Sequence, residues 1–222
     1  MYRIMILTSF IIGITMSAYL LRRKKIPSRI IVMSLALELL LCVYLSIIAT
    51  YLLSGMGGYG LNSTGGAVGM LLGAFIFSFI TPQYKEAFWD AYTLVLPLMY
   101  GLGKVGCAFA GCCGGISYNG ICHIHTQEGD VFPVQILEAS VFLLIFAMSA
   151  FVYFRNRFDP LKAAIIYSLV KIMLDFLRAS HADKIVSENQ IMCAVVIVLL
   201  LVVRFRGNYG INKETGKNSF CR

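Results

Sequence analysis

Seven long apolar segments, near 4–21, 30–53, 65–81, 88–103, 134–154, 160–178 and 189–205, take up most of the chain. Each approaches the roughly 20 residues that a helix needs to cross a bilayer core. The runs are continuous rather than alternating, which argues against a β-barrel. Of the 222 residues, 59% are hydrophobic and 14% charged, and the mean hydropathy is +0.78. A soluble domain of this length carries far more charge. The pattern predicts an all-α membrane protein, a seven-transmembrane-helix bundle. Residues 1–207 would form one transmembrane domain and 208–222 a polar, disordered cytoplasmic tail. The first apolar run ends in Arg22, Arg23, Lys24 and Lys25 without a small-residue cleavage site, so it reads as a span rather than a cleaved signal.

The formal charge of +8 invites a nucleic-acid reading, but its distribution argues for a membrane instead. Arg22, Arg23, Lys24, Lys25 and Arg29 follow the first run. Arg155, Arg157 and Lys162 follow the fifth, and Arg204, Arg206, Lys213, Lys217 and Arg222 close the chain. Loop clusters of this kind mark the cytoplasmic side. Seven spans then place the N-terminus outside and the C-terminus in the cytoplasm. Lys104, Lys171 and Arg178 remain, at or near span ends on the outer side.

Residues 103–115 carry one lysine, three cysteines and a run of glycines inside this apolar chain. So much glycine predicts a re-entrant segment of non-helical backbone, tolerated at membrane depth where it is buried or lines a wet cavity. Gly69 and Gly73 form a Gly-x-x-x-Gly pair, read as close helix packing. The stretch 116–131 is the longest polar outer segment and holds His123, His125, Glu128 and Asp130.

Ionisable residues within spans mark function by default. Tyr167, Lys171 and Asp175 are spaced i, i+4, i+8, with Arg178 three further on, so one helical face would present a phenol, two cations and a carboxylate. A structural ion pair with a snorkelling Arg178 is the bland alternative. Gln135 and Glu138 share a face of the fifth span, and Glu138 needs a cation that Lys104 or Lys171 would supply. Glu38, in the second span, has no evident partner. Cations balanced by acids at headgroup depth suit a phosphate or phospholipid headgroup.

These residues resemble the bacterial prolipoprotein diacylglyceryl transferase family. The likeness runs from about residue 60 to 205. Gly60 to Gly69 is similar to the family's loop ending in His-Gly-Gly, with Thr64 at the histidine. The segment from Gly103 through Lys104 and Cys107 to Gly111 and Gly115 resembles its glycine-rich signature. There Lys104 stands for arginine, Cys107 for asparagine and Cys112 for an acid. Pro133, Gln135 and Glu138 match a His-Pro-x-Gln-x-x-Glu stretch, with Phe132 at the histidine. Tyr167, Lys171, Asp175, Phe176 and Arg178 match a Tyr-x-x-x-Arg-x-x-x-Glu-Phe-x-Arg helix, and Ser187 and Gln190 a Ser-x-x-Gln before the last span.

The resemblance implies a multi-pass enzyme of the bacterial plasma membrane with its N-terminus outside. It would move a diacylglyceryl group from phosphatidylglycerol to the cysteine thiol of a lipobox-containing lipoprotein precursor, or a related thiol acceptor, releasing glycerol phosphate. Lys104 and Lys171 would hold the phosphate, Glu138 would orient a cation, Asp175 would hold Lys171, and Tyr167 would give a hydrogen bond. Thr64, Gly65, Gly66, Cys107, Cys112, Cys113, Gln135 and Arg178 fall at substrate-binding positions. No cofactor, resident metal or nucleic acid is implied. Lysine lacks the planar fork of arginine, and Thr64 cannot act as a base.

The cysteine cluster keeps a second reading open. Cys107, Cys112, Cys113, Cys122, His123 and His125 could serve soft-metal or redox chemistry on a catalytically altered, lipid-binding scaffold, although their spacing fits no standard zinc pattern. Small residues filling a tight turn, or a cysteine acting as covalent way-station, are the other possibilities.

Overall fold

The chain is mostly helical, and its inside-out polarity is that of a multi-pass membrane protein. The computed structural model describes residues 2–58, 60–112, 114–121, 123–126, 129–181 and 184–218. Seven α-helices lie among them: α1 (Tyr2–Arg23), α2 (Ser28–Leu53), α3 (Ser63–Ile80), α4 (Lys85–Ala110), α5 (Val134–Phe154), α6 (Pro160–Asp175) and α7 (Glu188–Asn218). Six are long and apolar enough to cross a membrane; α6, with 16 residues, is shorter. Large apolar side chains such as Leu7, Val32, Leu40, Phe79, Leu144, Phe151 and Val198 point outward. Ser9, Ser17, Ser34, Ser46 and Thr93 are buried among the helices. Exposed leucine with buried serine is the distribution that a lipid solvent selects.

Helix α4 is the central element and packs against α1, α3, α5 and α6. Its Phe88, Tyr92, Leu94 and Val95 are fully buried against Leu20 and Leu21 of α1 and Phe77 of α3. Helix α2 lies along α3, where glycine sets the distance. A Cβ on Gly69 would sit 2.5 Å from the Leu41 carbonyl oxygen and one on Gly65 2.6 Å from that of Leu45. The Gly69–Gly73 pair is therefore a packing device. A Cβ on Gly73 would collide with the Glu38 carboxylate.

The re-entrant segment expected over 103–115 is corrected in its first half. Helix α4 runs through Gly103, Lys104, Gly106 and Cys107 to Ala110. Glycine in a helix interior costs about 1 kcal/mol against alanine, and close packing offsets it: a Cβ on Gly106 would lie 3.0 Å from that of Met5 on α1. The chain leaves the helix at Gly111, whose φ of +64° is left-handed. The Cys112 N–H bonds the Cys107 carbonyl and the Gly111 N–H that of Ala108, both at 3.3 Å, which is a Schellman cap.

Beyond the cap lies structure that the polar composition of 116–131 did not suggest. Strands β1 (Ile124–Thr126) and β2 (Gly129–Val131) pair antiparallel, with His125 opposite Asp130. Single bridges join Ser117 to Val131 and Gly115 to Arg178. Cys113, Cys122, Glu128 and Cys221 lie outside the described residues.

Candidate active site

Five ionisable side chains converge between α4, α5, α6 and the segment after α6. Glu138, fully buried on α5, is the centre. Its Oε2 is 3.1 Å from Lys104 Nζ and its Oε1 3.1 Å from Lys171 Nζ. Arg178 donates through Nη2 to Oε2 at 2.7 Å and through Nε to Oε1 at 3.3 Å. The two-point geometry is the fork that guanidinium makes with a carboxylate. Tyr100 adds its hydroxyl at 3.4 Å.

Asp175, equally buried at the end of α6, is the second anion. It accepts from Lys171 Nζ at 2.7 Å and lies 3.2 Å from Arg178 Nε. Ser187 donates to its other oxygen, and His181 Nε2 is 3.8 Å away. Three cations thus face two carboxylates, leaving one positive charge in excess among the described residues. This balance suits an anion electrostatically.

The sequence puts each group there for a local reason. Tyr100 and Lys104 are one turn apart on α4, and Gln135 and Glu138 three residues apart on α5. The expected single face carrying Tyr167, Lys171, Asp175 and Arg178 is corrected at its end. Helix α6 stops at Asp175, and Arg178 sits in the bridge to Gly115. Nor does Arg178 snorkel: its side chain is 11% exposed and bound to both acids. Gly115 makes this bridge possible, because a Cβ there would lie 2.2 Å from the Phe132 carbonyl oxygen.

A chamber of about 190 Å³ opens beside the cluster, its wall including Lys104, Arg178, Tyr100, Asn62, Cys107 and Cys112. Gln135 donates to the Cys112 carbonyl at 2.6 Å, and its buried Oε1 has no hydrogen-bond partner among the described residues. Gly66 borders the chamber, whereas Gly65 is pressed on α2. Thr64 lines a smaller cavity with Lys171 and Tyr167. Tyr167 donates to Ser149 at 2.7 Å. Glu38 lines a different, smaller cavity with Ser17, Cys42 and Tyr92, and neither of its oxygens has a hydrogen-bond partner among the described residues.

Tyr100, Asn62 and His181 escape a reading of the sequence, and Ser187 appears there only as a motif position. The signals are faint but present. Tyr100 is a phenol one turn before Lys104. Asn62 caps α3, accepting from the Thr64 and Gly65 N–H groups at 2.9 Å each, and donates to Asn189 at 3.2 Å. Ser187 and Gln190 form a reciprocal capping box at the start of α7: the Ser187 N–H reaches Gln190 Oε1 at 3.1 Å, and the Gln190 N–H reaches Ser187 Oγ at 3.2 Å. The cap thereby holds the hydroxyl that meets Asp175.

Two comparisons with known proteins bear on this site. The model of the prolipoprotein diacylglyceryl transferase family matches residues 1–206. The phosphatidylglycerol–prolipoprotein diacylglyceryl transferase of Dehalococcoides mccartyi is similar to this chain, 26% identical over 175 residues, which cover 74% of this chain and 67% of that protein.

Proposed function

The chain belongs to the prolipoprotein diacylglyceryl transferase family, and from that premise we propose that it joins the diacylglyceryl group of phosphatidylglycerol to the lipobox cysteine of a lipoprotein precursor. The observation that carries this reading is the cluster of Lys104, Lys171 and Arg178 around Glu138 and Asp175, with its single excess positive charge. That excess matches the single negative charge of a phosphodiester.

The reaction forms a carbon–sulfur bond and breaks a carbon–oxygen bond. The acceptor sulfur attacks the glyceryl carbon that carries the phosphate, and glycerol phosphate departs with the bonding electron pair. The thiol proton leaves on the phosphate monoester, whose second pKa is about 6. Negative charge grows on the phosphate as the bond breaks. Lys104 and Arg178, on the chamber wall, supply fixed positive charge where it develops. Glu138 and Asp175 hold the cations in place, and the thiolate is the competent nucleophile.

In this reading all seven helices span a bacterial plasma membrane. The N-terminus is outside, residues 1–207 are the membrane domain, and 208–222 form a cytoplasmic tail. The basic clusters between α1 and α2, between α5 and α6, and at the end of α7 support this orientation. A transfer assay tests the function: purified protein, phosphatidylglycerol and a lipobox-cysteine peptide, followed by mass spectrometry. Gain of one diacylglyceryl group with release of glycerol phosphate is the expected result. No gain from folded, lipid-binding protein would sink the proposal.

A further inference from the structure

Away from the transferase cluster, the β1–β2 hairpin brings two histidines and an aspartate together. Donor atoms of His123, His125 and Asp130 all lie within 4.8 Å of one another. Strand register sets this up, since His125 stands opposite Asp130 and His123 immediately precedes β1.

The hydrogen bonds fix which nitrogen of each ring carries a proton. His123 Nδ1 lies 2.8 Å from the Gly120 carbonyl oxygen, which can only accept, so Nδ1 is the donor. His125 Nδ1 lies 2.5 Å from Asp130 Oδ1 and is likewise the donor. In neutral imidazole the other nitrogen is then a lone pair. The two Nε2 atoms face each other at 3.2 Å. Two lone pairs at that separation repel unless a proton or a metal ion lies between them.

The spacing suits a small tetrahedral ion. Ligands about 2.0–2.1 Å from zinc in tetrahedral geometry stand about 3.3 Å apart. His123 Nε2 is 3.2 Å from His125 Nε2. Two imidazoles form a borderline donor pair, favouring zinc and its transition-metal neighbours over calcium or magnesium. The Gly120 carbonyl and Asp130 Oδ1 orient the rings from behind, as outer partners of metal-bound histidines do.

The geometry points to a divalent transition-metal site at the paired Nε2 atoms of His123 and His125 on the hairpin, with Asp130 as the outer partner that holds His125. The hairpin is wired to the transferase cluster. The Tyr118 N–H bonds the Asp130 carbonyl at 2.9 Å, the Phe132 N–H bonds that of Ile116 at 3.0 Å, and the Ile116 N–H bonds that of Leu177 at 3.1 Å, next to Arg178. An ion here clamps the segment against which Arg178 is braced.

The test uses the full chain purified in detergent with a tag free of histidine, stripped with chelator and titrated with Zn²⁺ by calorimetry and Co²⁺ by absorption. One equivalent of each should bind, with Co²⁺ giving the intense visible bands of tetrahedral coordination. His123→Ala and His125→Ala should each weaken binding by about tenfold or more, and Asp130→Asn by about 10–100-fold. His181→Ala, which alters the chain's remaining histidine, should leave affinity unchanged. Circular dichroism on each variant separates lost ligation from lost folding. Absence of a stoichiometric site in the wild type would overturn the inference. So would undiminished affinity in a folded His123→Ala/His125→Ala double variant.

Discussion

Glu138 shows how much one side chain can hold together. It is 0% exposed and meets two lysines, an arginine and a phenol. Removing one partner of a buried ion pair costs about 3–5 kcal/mol. Glu138→Gln should therefore lower the thermal midpoint in detergent markedly and abolish transfer, which a melting curve beside the transfer assay would read. Lys104 separates charge from shape. Lys104→Met should cost about 10²–10³-fold in kcat, while Lys104→Arg keeps the charge and should stay within about tenfold; equal losses in both would remove Lys104 from phosphate binding. The individual ionisable residues were legible because charge is so rare in this chain. So were the pairings of Glu138 with Lys104 and Lys171 and of Asp175 with Lys171, but that of Glu138 with Arg178 was not. Glu138 and Arg178 are 40 residues apart, and nothing in the intervening sequence says that α6 ends at Asp175 and turns its arginine back onto α5.

Helix ends carry several of the constraints. Asp159 caps α6, accepting from the Lys162 N–H at 3.1 Å, and meets Arg204 of α7 at 3.3 Å. Partial burial pushes its carboxyl up, but the Lys162 N–H and the cations Arg204 and Lys162 outweigh this and hold it below the usual aspartate value of 3.8. A lowered folded pKa contributes stability that is present above the unfolded value and lost as pH falls through the folded one. Acid melts of wild type and Asp159→Asn should converge as that carboxyl protonates; parallel curves would deny it the role. At the other end of the α6–α7 connection, Ser187→Ala removes both a cap and the hydroxyl on Asp175. A cap alone is worth about 1 kcal/mol. If Ser187 also positions Asp175, kcat should fall while Ser187→Thr restores it. Apolar run length located α1, α2, α3, α5 and α6 to within a few residues, but not the ends of α7 and α4. In α4 glycine content suggested broken backbone, but the need for α1 to approach Gly106 kept the helix intact. A sequence displays glycine without displaying the neighbour it admits.

Across the whole molecule, the proposed orientation predicts that a fluorescent protein fused after residue 222 lights up and that an alkaline phosphatase fused there stays inactive. The reverse pattern would invert every side assigned above. Helix α6 also sets a scale. Its 16 residues rise about 24 Å, against a hydrocarbon core of about 30 Å, and Lys171 and Asp175 are on its last turns. A helix shorter than its bilayer draws the surrounding lipid thinner. In the proposed reading, where α6 spans the bilayer and the cluster holds a lipid phosphate, the membrane itself would bring that phosphate part of the way by dipping toward the protein. Turnover should then follow acyl-chain length, fastest in short-chain bilayers and slower as the leaflets thicken, so that the enzyme's rate becomes a gauge of the membrane in which it sits.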